Sequence, residues 1–118
     1  MPSKRNPLNL NPLQLKTLTL LQELARLAGK PAPSDDDGDE PGGLAITELP
    51  HPHGDHFHLG DAMVAARDAT GLRNPSVWAA LERKGLIRPK LPEAVILTAE
   101  GQAYDTGLAG AILHRASH

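Results

Sequence analysis

Caps and stops crowd the stretch from Gly60 to Gly101, GDAMVAARDATGLRNPSVWAALERKGLIRPKLPEAVILTAEG, so closely that no helix within it can run beyond about three turns. A chain punctuated in this way builds short elements, and their order is what it specifies. Asp61 is placed to accept the free amide hydrogens of a first turn and Gly71 to supply a left-handed stop, which predicts a helix over 62–70. Asn74 as N-cap, Pro75 at the first helical position and Gly85 at the end predict a second helix over 76–84. Val77, Trp78 and Leu81 share one face of that helix and are expected in the core. Beyond Gly85, residues 86–88 and 94–98 read as two strands joined through a turn with two prolines, and Thr98 as the N-cap of a closing helix over 99–115.

LERKGLIRP followed by AVILTAEGQAY resembles the second half of a MarR-type winged helix-turn-helix domain, with L-E-x-K-G-L-I and L-T-x-x-G as the more specific pieces. The likeness runs from about Leu59 to Tyr104. It implies an α+β fold, mostly α, with a small β-hairpin wing and terminal helices. It also implies a DNA-binding transcriptional regulator that inserts the helix 74–84 into double-stranded DNA, uses the hairpin 86–98 as wing, and forms a homodimer through its terminal helices. On that likeness Arg73, Asn74 and Ser76 approach base edges or phosphates, while Arg83, Lys84, Arg88 and Lys90 meet phosphates and fix orientation. The interval from Gly71 to Leu81 is about one helical turn shorter than the family uses, so a stubby recognition helix is expected.

With 118 residues and 40% hydrophobic content, one domain over 11–118 is expected after a flexible segment 1–10. Aromatic residues make up only 3%, so leucine, alanine, valine and isoleucine must fill the core, which favours helices over a sandwich. No cysteine is present, which removes disulfides, thiolate metal sites and a cysteine nucleophile. No apolar run has membrane-spanning length, and MPSKRNPLNLNP lacks the apolar core of a secretion signal, so a cytoplasmic protein without membrane contact is expected. The net charge of −2 hides an asymmetry: Arg67, Arg73, Arg83, Lys84, Arg88 and Lys90 cluster in the second half, and Asp35, Asp36, Asp37, Asp39 and Glu40 in one tract. A phosphate-binding glycine loop and a nucleophile elbow are both missing, so no enzyme activity is expected.

Ahead of this region, Asn11 and Pro12 open a helix over 12–28 that Gly29 closes. Its Leu13, Leu20 and Leu27 stand seven apart, a spacing that suits either a core stripe or a short dimer seam. Residues 30–43, rich in Pro, Gly and Asp, read as a disordered acidic loop. Their alternating aspartates do not make a calcium loop, because Glu40 stands where glycine is needed and Ile46 where a bidentate glutamate belongs. Short strands are expected within 44–49 and 57–59.

Between those strands lies HPHGDHFH, with His51, His53, His56 and His58 around Asp55. As H-x-H-x-D-H it resembles the zinc signature of the metallo-β-lactamase superfamily, whose fold needs roughly twice this length and draws further ligands from distant strands. A complete hydrolase site is therefore not expected and no cofactor is required. The alternative function is a winged-helix module for protein contacts or metal sensing, in which the segment 51–58 offers imidazoles to a divalent ion such as zinc.

Overall fold

A computed structural model describes residues 8–31, 43–49, 54–90 and 94–115. The first helix, α1 (Pro12–Ala28), begins with a reciprocal cap: the Asn11 side chain accepts the Gln14 amide at 2.8 Å, and Gln14 Oε1 accepts the Asn11 amide at 3.0 Å. Leu18, Leu20 and Leu21 are at most 1% exposed, so α1 is buried on several sides and forms the spine of the core. Leu20 therefore points inward while Leu27 is 40% exposed, and the row of three leucines presents no continuous seam.

Two antiparallel sheets pack with this spine. The first has the order β1 (Lys30–Pro31), β2 (Leu44–Ile46), β6 (Ala94–Leu97), β5 (Ile87–Lys90). The second has the order β3 (His56–Leu59), β4 (Ala62–Ala65), β7 (His114–Arg115). The molecule is thus an α+β fold. Lys30 and Pro31, expected in a disordered loop, pair with Ala45 and Leu44, and the acidic tract 35–40 lies outside the described residues. The flexible segment expected over 1–10 is described only at its end, where Leu10 is buried and the Leu8 amide donates to the Tyr104 hydroxyl at 3.0 Å.

Residues 62–70 do not form the expected helix. Ala62–Ala65 is a strand, followed by 3₁₀ turns at Ala66–Asp68 and Thr70–Arg73. Asp61 is a hairpin residue and not an N-cap: Leu59 pairs with Ala62 across a two-residue loop whose first position, Gly60, has φ 61°. Glycine at that place suits the right-handed strand twist, as in type II′ hairpins. Burial alternates along β4, with Ala62 and Val64 inaccessible and Met63 exposed, a period of two that a helix cannot satisfy.

The closing helix over 99–115 is also broken. It divides into α3 (Ala99–Ala103) and α4 (Ala109–Ile112), and the chain then enters β7. The break has a local cause: Asp105 Oδ1 accepts the Gly107 amide at 3.0 Å, and Gly107 adopts φ 71°. A side chain that captures a nearby amide competes with the helical ladder. By contrast, α2 (Pro75–Arg83) forms where expected, with Asn74 Oδ1 accepting the Ser76 amide at 2.9 Å and Gly85 at φ 78° beyond its end.

The turns at 66–73 are held against α1 at two points. Lys16 Nζ lies 2.8 Å from Asp68 Oδ1, a half-exposed lysine on a largely buried carboxylate. Gly71 lies so close to Thr17 that a Cβ there would fall 1.8 Å from Thr17 Oγ1. Gly71→Ala is therefore expected to lower the unfolding free energy by about 1–3 kcal/mol through overpacking. Adding Thr17→Ala should restore much of the loss, because it removes the colliding atom; urea midpoints of both variants check this, and equal losses would contradict it.

Candidate nucleic-acid interface

Short side chains line the first half of the outer face of α2. Pro75, Ser76 and Ala79 are exposed, then Glu82 and Arg83, while Val77, Trp78, Ala80 and Leu81 face the core. Trp78 is anchored by its indole N–H, which donates to the Leu72 carbonyl at 3.0 Å. Small residues let a helix approach a surface closely. The charge lies around them: Arg73 is exposed on the last residue of the 3₁₀ turn that leads into the helix, and Arg83 at its other end.

The remaining residues expected at the site are placed less uniformly. Asn74 spends its side-chain oxygen on the helix cap, which leaves its amide N–H groups as donors. Lys84 is half-buried, and its ammonium donates to the Leu8 carbonyl at 2.8 Å, so it ties down the N-terminal segment. Arg88 is half-exposed in β5 opposite Ile96. Lys90 pairs with Ala94 at the end of β5, with its side chain outside the described residues. The geometry therefore groups Ser76 and Arg83 on α2 with Arg73 on the turn just before it, and sets Arg88 on the adjoining hairpin. The tether formed by Lys84 has no sequence signal, because it depends on a backbone carbonyl 76 residues away.

The histidine segment builds a different surface. In the sheet β3–β4–β7, Phe57, Leu59, Ala62 and Val64 are buried on one face. The other face carries His56, His58, Met63 and His114, with His58, Met63 and His114 aligned across the three strands. His56 Nε2 lies 3.1 Å from His58 Nε2 with the rings edge to face, and His56 Nδ1 lies 3.3 Å from Asp55 Oδ1. His51 and His53 lie outside the described residues. Sequence reasoning did not connect His114 to this face, since the connection needs β7 beside β4.

A cavity of about 230 Å³ opens between the end of α1, β2 and β3, lined by Leu24, Leu27, Ile46, Leu49, His58 and Leu59. That is below the usual range for clefts that enclose a small organic ligand. Among the described residues no helix is long and apolar enough to cross a membrane. Searches against protein-family models, curated proteins and solved structures give no match.

Proposed function

We propose that this chain is a DNA-binding regulator of winged-helix type, with α2 directed at the duplex and the β5–β6 hairpin lying beside it. The reading is carried by one observation: α2 exposes a narrow face of small residues between Arg73 and Arg83, next to a hairpin that bears Arg88. The chain order supports it. A helix, a strand, a turn-rich segment, a second helix and a hairpin occur in that order, with β1 and the β3–β4 hairpin of the second sheet interposed, and β2 pairs with β6, which pairs with β5. A winged helix joins its three strands in that order. On this reading the 3₁₀ turns of 66–73 take the place of the middle helix.

Phosphate contacts release counterions, so affinity for a mixed-sequence duplex should fall steeply with salt. Fluorescence anisotropy from low to moderate salt measures the slope. Arg73→Ala with Arg83→Ala is expected to make it shallower by about 2 units, near 0.9 for each lost contact. No retention at low salt, or an unchanged slope in the double variant, would overturn the reading and favour a protein-contact role for the same face. Saturation of the titration at one or two chains per duplex tests whether two copies pair on DNA.

A further inference from the structure

We infer that His56 and His58 form a site for a borderline divalent cation of the zinc class. Both side chains stand on the solvent face of β3, two residues apart, and their Nε2 atoms converge to 3.1 Å. Two nitrogens each bound at about 2.0–2.1 Å to a tetrahedral zinc stand about 3.3 Å apart. The pair therefore needs only a small opening to admit one ion between its lone pairs.

The surroundings fit that use. Asp55 Oδ1, 3.3 Å from His56 Nδ1, is placed to hold the ring hydrogen on Nδ1, which leaves the Nε2 lone pair directed at the neighbouring ring. Carboxylates positioned in this way orient ligating imidazoles and raise their basicity. The pair is also rigidly based. Phe57 and Leu59, which alternate with the histidines, are 7% and 2% exposed and lock the strand to the core.

Among the described residues, β3 supplies two nitrogens to the ion. His114, on the same face but two strands away from His58, serves as an internal control.

The test uses the full chain without a purification tag, freed of metal, in a zinc competition against a chromophoric chelator and with no nucleic acid present. One zinc per chain is expected. His56→Ala and His58→Ala should each weaken binding at least tenfold, and Asp55→Asn about tenfold. His114→Ala should bind as the unaltered chain does. Circular dichroism confirms that the variants fold, as expected for side chains on the outer face of the sheet. Histidine ring NMR signals should shift on zinc addition for His56 and His58 and stay in place for His114. Wild-type titration of the His56 and His58 variants, or an equal loss in His114→Ala, would overturn the site.

Discussion

Gly101→Ala is expected to destabilise the protein by about 2–4 kcal/mol, although alanine is the better helix former by about 1 kcal/mol. A Cβ at Gly101 would lie 2.2 Å from the Leu86 carbonyl oxygen and 2.7 Å from Leu97 Cδ1. That carbonyl cannot easily retreat. It accepts the Thr98 amide at 3.1 Å and lies 3.0 Å from the Thr98 hydroxyl, which itself accepts the Gly101 amide at 3.0 Å. Overpacking of about 1–3 kcal/mol therefore adds to hydrogen bonds worth about 1 kcal/mol each. Urea unfolding measures the result, and a midpoint at or above that of the unaltered protein would refute it. The same geometry gives a physical reason for the L-T-x-x-G pattern. Threonine caps α3, and the third residue after it must lack a side chain because the helix starts directly on the Leu86 carbonyl, one residue before β5.

Leu81→Ala should be at least as costly, at about 2–5 kcal/mol, the range for deleting a fully buried leucine side chain that leaves a cavity. Leu81 is inaccessible and lies in the same hydrophobic cluster as Leu18, Leu21, Trp78 and Ile87. Against a total stability of about 5–15 kcal/mol, this loss would leave a measurable unfolded fraction on mild heating. Thermal unfolding followed by circular dichroism checks the size. Molecules that remain folded keep Arg83 exposed on α2 and Arg73 exposed just before it, so the salt slope expected of the proposed DNA binding should be unchanged while the melting temperature drops. A drop smaller than that of a surface substitution such as Ala79→Ser would show that the helix is not anchored through Leu81.

The elements that were legible beforehand are those specified by neighbours in sequence. α1 starts at Pro12 because Asn11 and Gln14 satisfy each other's amides, and α2 starts at Pro75 because Asn74 reaches two residues ahead. Both signals span a single turn. The segment 62–70 misled because an aspartate before an alanine-rich run has the composition of a helix start. The better signal was the Gly60-Asp61 pair between the alternating runs FHL and AMV, a hairpin mark that the helix reading passed over. The closing helix failed for a related reason: Asp105 and Gly107 form a local turn, and the chain beyond gains more from pairing with Ala62 and Met63 than from one further helical turn.

The candidate site divides in the same way. Ser76 and Arg83 were recognisable as exposed residues of a capped helix and Arg73 as the residue before its cap, and all three are exposed. The use of Lys84 to hold the Leu8 carbonyl, and the row of His58, Met63 and His114, were not. Each depends on contacts between residues far apart in the chain.

By itself, the sequence determined where α1 and α2 begin, that α2 stops at Gly85 and that two strands follow, because caps, prolines and the positive φ of Gly85 act within about one turn; Gly71, expected as a left-handed stop, lies instead inside the turn Thr70–Arg73, and Pro89, expected in the hairpin turn, pairs with Val95 in β5. Only the tertiary structure decided that 62–65 is a strand, that the last helix breaks so that β7 can join β4, and that two imidazoles meet on an open face. Those outcomes rest on burying Ala62 and Val64 and on pairing strands across long separations, where the preference of a short segment is weaker than the apolar surface and ladder hydrogen bonds gained by the whole chain.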